Sequence, residues 1–139
     1  MDQIENLTIK EIFSLAVKCY QEGKTDIALK LYNQVIKIDP NHSQAHNNLG
    51  LIFQNQMNHE KAKSCYEKAI EIKPDYADAY NNLGILLSQL GENKKLIGCF
   101  EKAIELNPNY SQAHNNLGVI FKNLGEYEKA KSCYEKAIA

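Results

Sequence analysis

A 34-residue period runs through the chain and constrains its fold more than any other feature. Pro40, Pro74 and Pro108 stand 34 residues apart, as do Tyr32, Tyr66, Phe100 and Tyr134, and Leu15, Leu49, Leu83 and Leu117. Aligned on this period, residues 43–70 and 111–138 are identical at 22 of 28 positions, differing only at 51, 54, 56, 57, 58 and 59 of the earlier segment. The chain therefore divides into an N-terminal extension (1–8), repeats at 9–42, 43–76 and 77–110, and an incomplete fourth repeat at 111–139. A fixed period of this length marks a stack of like units, none of which can bury its apolar face alone.

Each repeat reads as two helices. Ala45, Leu49, Ile52 and Phe53 recur at i, i+4, i+7 and i+8, and Ala62, Tyr66, Ala69 and Ile70 form a second stripe at helical spacing. Gly23, Gly91 and Gly125 interrupt three repeats where the helices should turn, whereas the second repeat carries Met57 there, which makes that turn the least certain. Asp39-Pro40-Asn41, Lys73-Pro74-Asp75 and Asn107-Pro108-Asn109 end the second helices, because proline lacks a donor and restricts its predecessor. Thr8-Ile9-Lys10-Glu11 fits a capping box that opens the first helix. Strands have no support.

These residues resemble the tetratricopeptide repeat, whose pattern is W-x2-L-G-x2-Y, then A-x3-F, then P, at 34-residue spacing. His46, Leu49, Gly50, Phe53, Ala62, Tyr66 and Pro74 match it; Tyr80, Leu83, Gly84, Leu87, Phe100 and Pro108 follow, then His114, Leu117, Gly118, Phe121, Ala130 and Tyr134. The resemblance covers residues 9–139 and implies an all-α fold, a right-handed α-solenoid of antiparallel helix pairs. Two departures stand out. The opening aromatic is Ile12, His46, Tyr80 and His114, never Trp. Leu96 replaces the small Ala at the closest helix–helix approach, with Gly98 in the same helix, so the third repeat is expected to be the loosest.

Chemistry finds little foothold. Cys65, Cys99 and Cys133 are 34 apart, on the same face of successive repeats, and helices there should be at least ~8–10 Å apart. That exceeds the ~7 Å Cα limit for a disulfide. With Cys19, these thiols read as free, small, buried or half-buried residues of a reducing compartment. His42 and His46 have a ligand-like spacing, but His42 falls at a repeat junction and its counterpart in the last repeat is Tyr110, so a packing role fits better. No phosphate loop, nucleophile elbow or zinc-protease motif occurs. No catalytic residue, metal or cofactor is expected.

The first helices are more informative. At 100° per residue, Leu49, Gly50 and Phe53 mark the buried side of one of them. Gln44, Asn47, Asn48, Leu51 and Asn55 then fall opposite, followed by Asp78, Asn81, Asn82, Ile85 and Gln89, and by Gln112, Asn115, Asn116, Val119 and Asn123. Each rung pairs amides with one aliphatic residue. Asn is a poor helix former, and six of them inside helices cost roughly 2–3 kcal/mol. An amide both donates and accepts, so such a strip could grip an extended backbone. The family resemblance implies that this strip is the concave surface where partner segments lie. Asn48, Asn82 and Asn116 look like the asparagine ladder of O-linked N-acetylglucosamine transferase, which contacts substrate backbones; a purely scaffold role is the competing reading. The first repeat breaks the ladder with Phe13, Ser14, Val17 and Tyr20, an apolar end that residues 1–8 could cover. Only Lys10 and Lys122 occupy strip positions, too few and too far apart for the carboxylate clamp of chaperone-binding relatives.

The 139 residues carry 16 basic and 17 acidic side chains, a balance unlike that of a nucleic-acid binder. No run approaches ~18 apolar residues, and the start Met-Asp-Gln-Ile-Glu-Asn is unlike a signal peptide, so a cytoplasmic protein without membrane partners is expected. Three functional readings follow. The first is a non-catalytic scaffold holding a peptide or protein segment. The second is the N-terminal recruiting or assembly part of a larger glycosyltransferase- or sulfotransferase-type enzyme, since the last repeat stops at Ala139 before any proline or polar capping helix. The third is a homo-oligomer assembled through an apolar C-terminal end at Ala130, Tyr134, Ala137 and Ile138.

Overall fold

In the computed structural model, residues 6–138 are described; Ala139 and the first five residues of the expected N-terminal extension lie outside this range. Among the described residues there are eight helices and no strands: α1 (Ile9–Gln21), α2 (Thr25–Ile38), α3 (Ser43–Asn55), α4 (His59–Ile72), α5 (Ala77–Gln89), α6 (Asn93–Leu106), α7 (Ser111–Asn123) and α8 (Tyr127–Ile138). Thr8 opens α1 with a reciprocal capping box, its Oγ1 accepting from the Glu11 amide and its own amide donating to Glu11 Oε1, both at 3.1 Å. The Thr8 amide and hydroxyl hold the Glu11 carboxyl below the usual carboxylate range. No helix among the described residues is long and apolar enough to cross a membrane.

The turn inside every helix pair is the same. After α1, the Gly23 amide donates to Tyr20 O and the Lys24 amide to Cys19 O, the paired bonds of a Schellman motif. Gly91–Glu92 and Gly125–Glu126 repeat it with φ of 75° and 78° at the glycines. The second repeat closes the same way without a glycine: the Met57 amide donates to Gln54 O and the Asn58 amide to Phe53 O, with Met57 at φ 62°. The turn geometry thus overrides the residue's own preference, because the left-handed region crowds any Cβ.

The chain forms two compact units, divided between Pro74 and Asp75. In the first, α1 pairs with α2, α3 with α4, and α3 packs on α2. Its core contains Ile12, Ala16, Leu31, Tyr32, Val35, Leu49 and Ile52, with Phe13 edge-on to Tyr32 at 5.8 Å. In the second unit, α5 pairs with α6, α7 with α8, and α7 packs on α6. Leu83, Leu86, Leu87, Leu96, Phe100, Ala103 and Leu117 are buried there. Leu96 does not loosen its helix pair: it is fully buried, as are Phe100 and Ala103 around it. Gly98 faces open space, where a Cβ would meet nothing within 4 Å.

The glycine of each Leu-Gly pair makes the close approach possible. A Cβ on Gly50 would stand 2.6 Å from Cε1 of Tyr66, one on Gly84 2.7 Å from Cε1 of Phe100, and one on Gly118 2.8 Å from Cε1 of Tyr134. The aromatic rings occupy the volume a side chain would need.

Candidate functional site

The amides of the first helices do not all face outward. Asn81 on α5 is fully buried: its Nδ2 donates to Gln112 Oε1 at 3.3 Å, and its Oδ1 accepts from Asn116 Nδ2 at 3.2 Å, both residues on α7. A helical wheel puts Asn81 on the open strip because it knows only one helix; α7 closes over that position and turns the amide into a cross-link. Asn47 is likewise buried, its Nδ2 3.4 Å from Asn48 Oδ1. Asn48 donates to the Tyr32 hydroxyl on α2 at 3.2 Å. Asn55 donates to the Tyr20 hydroxyl on α1 at 2.5 Å, and Asp78 accepts from the Tyr110 hydroxyl at 2.6 Å. Burial, then the bond to Asp78, pushes the Tyr110 phenol above its ordinary value, so it stays a donor. Gln44, Asp78, Gln89, Gln112, Asn115 and Asn123 are exposed, and Asn48, Asn82 and Asn116 are half-buried. The tyrosine partners of Asn48, Asn55 and Asp78 lie 16 to 35 residues away in sequence and could not be read from helix spacing.

Two rungs of the strip do converge in the second unit. Between α5 and α7 lies a cavity of about 160 Å³ lined by Ile85, Phe100, Val119 and Ile120, with Ser88, Gln89 and Asn116 at its polar edge. Val119 is 46% exposed, an unshielded aliphatic residue lining this cavity. Asn116 on that edge is bonded to Asn81. The arrangement offers an apolar floor edged by amide donors and acceptors and the Ser88 hydroxyl.

Three of the four histidines are accounted for by local structure, while His59 at the start of α4 keeps its Nδ1 buried without a hydrogen-bond partner. His42 caps α3, Nδ1 accepting from the Ala45 amide at 3.1 Å, and its ring sits 4.8 Å from that of Phe13. His46 donates Nε2–H to Pro40 O at 2.9 Å, and His114 donates to Pro108 O at 2.8 Å. These bonds tie α3 and α7 to the proline turns before them. Among the described residues no group of three or more His, Cys, Asp or Glu could hold a metal ion. Cys19 and Cys133 are buried free thiols, and Cys65 and Cys99 are half-buried.

Family models for the tetratricopeptide repeat match residues 43–76, and 65–96 with 99–132; a TPR repeat model matches 18–56. The chain belongs to the tetratricopeptide repeat family. Comparison of the sequence with curated proteins finds no match. Among solved structures, a crystal structure of MamA is 23% identical, with a TM-score of 0.86 over 99% of this chain and 80% of that one. MamA from Desulfovibrio magneticus RS-1 is 21% identical, with a TM-score of 0.83 over 99% of this chain and 77% of that one. The pilF protein of Pseudomonas aeruginosa is 22% identical, with a TM-score of 0.88 over 99% of this chain and 63% of that one. At these identities the likeness is one of fold.

Proposed function

We propose that this tetratricopeptide repeat chain is a non-catalytic interaction scaffold that holds an extended peptide or protein segment against its first helices. The observation that carries the reading is the α5–α7 cavity, where Ile85 and Val119 of successive rungs meet beside Gln89 and Asn116. A partner's aliphatic side chain would fill the floor, while its backbone meets amides that both donate and accept. In the first unit Gln44 and Asn55 remain exposed on α3 and extend the polar surface available there. Of the ladder, Asn48 bonds to Tyr32 and Asn116 to Asn81, so both also hold the scaffold.

Selection from a random-peptide display library tests this. Peptides enriched on the intact chain should share an aliphatic residue and lose binding about tenfold or more to Val119→Asp, while Ile27→Asp, an exposed aliphatic change on α2, leaves binding unchanged. Equal binding to both variants overturns the proposal.

A further inference from the structure

The second helices carry Tyr32, Tyr66, Phe100 and Tyr134 at one register, so the third repeat alone lacks a phenol hydroxyl there. In the first unit that hydroxyl reaches two kinds of partner. The Tyr32 hydroxyl accepts from Asn48 Nδ2 at 3.2 Å, on the first helix of the next pair. The Tyr66 hydroxyl donates to Gln54 Oε1 at 2.6 Å, on the first helix of its own pair. Two periods on from Asn48 stands Asn116, and one period on from Gln54 stands Ser88. A hydroxyl on Phe100 would therefore project between Asn116 and Ser88. Those two residues and Phe100 all line the cavity of about 160 Å³ walled by α5, α6 and α7. With no hydroxyl to meet, Asn116 bonds to Asn81 instead, and the space stays open.

Ser88 widens the same opening. Its register holds Tyr20, Gln54, Ser88 and Lys122, and serine is the shortest of the four. In the first unit the corresponding place carries two tyrosines, Tyr20 and Tyr32, the former accepting from Asn55 Nδ2 at 2.5 Å. None of the described residues lining the cavity is charged. A charged group entering it would lose water and find no counter-charge, whereas apolar surface gains by meeting Ile85, Phe100, Val119 and Ile120. A cavity near this size takes up an apolar group about as large as benzene. We infer that Phe100 and Ser88 set the specificity of the groove: by omitting a hydroxyl and a longer side chain, they open a pocket for one uncharged aliphatic side chain, of leucine or isoleucine size, from the partner segment. This rests on the peptide-holding function proposed above and adds which residues select the anchor. The two tyrosines at the corresponding place direct that anchor to the second unit.

Restoring the missing groups tests the inference. Phe100→Tyr with Ser88→Gln installs the pair that Tyr66 and Gln54 form in the second repeat. Measured by fluorescence anisotropy with a labelled, display-selected peptide, the double variant should bind about tenfold more weakly than the intact chain, with helical content by circular dichroism unchanged. Ser88→Gln alone, at an exposed position, should weaken binding by a smaller factor and carries the test if the double variant fails to fold. Replacing the peptide's aliphatic anchor with Ala should cost the intact chain about tenfold but the double variant little more, because its pocket is already closed. Normal binding by both variants, or losses that simply multiply, overturn the inference while loss on Val119→Asp leaves the peptide-holding function standing. A library that yields no binder, or peptides that bind Val119→Asp as well as the intact chain, overturn both.

Discussion

Asn116 donates its side-chain amide to Asn81 across α5 and α7 at 3.2 Å, and Asn81, fully buried, passes its own N–H on to Gln112 at 3.3 Å. Two helices that belong to successive repeats are thereby clipped together by amides. Asn81, Gln112 and Asn116, all read from the sequence as candidate partner contacts, are here bonded to one another.

Removing one end of that clip should unmask its structural share. Asn116→Ala leaves the buried Asn81 carbonyl without this donor and should lower stability by about 1–2 kcal/mol. Urea unfolding followed by circular dichroism measures it. A loss below a few tenths of a kcal/mol would assign Asn116 to the surface.

Two glycine-to-alanine changes should act in opposite directions. Gly50→Ala forces a methyl group into the fully buried Tyr66 ring, whose hydroxyl is also tied to Gln54 Oε1 at 2.6 Å, and should destabilise by about 1–3 kcal/mol. Gly98→Ala meets only open space inside α6 and should stabilise by about 0.5–1 kcal/mol. Thermal melts of the two variants give the signs directly.

Met57 occupies the left-handed region that glycine occupies in the other three turns. Its side chain is exposed and has little packing to lose. Met57→Gly should therefore raise stability by about 1 kcal/mol, read as a higher urea midpoint.

Burial pushes the Cys65 thiol up to about 11, against a smaller opposing pull from Lys61. At pH 8 its alkylation in the folded chain should run roughly a hundredfold slower than in urea, because the thiolate is the reactive form. Peptide mapping after timed iodoacetamide treatment resolves the site. Comparable rates in both states would show that Cys65 is neither desolvated nor shielded.

The period, the proline breaks and the apolar stripes made the helix pairs legible, because each depends on spacing within one helix or one turn. Leu96 shows the limit of that reading: its volume suggested a splayed pair, yet its neighbours accommodate it completely. Asn47 and Asn115 show another. They sit in segments identical at 22 of 28 positions, but Asn47 is buried and Asn115 exposed. Burial at such positions depends on what lies beside the helix, which local sequence does not encode. The Asn48–Tyr32 and Asp78–Tyr110 bonds escaped for the same reason, since each joins side chains from separate elements.

The groove itself is tested most directly by a ¹⁵N-labelled chain titrated with a display-selected peptide. Shifted amide signals should cluster at Ile85, Gln89, Asn116 and Val119, and Val119→Asp should abolish them. Shifts confined to α8, or spread without focus over the helices, would contradict it.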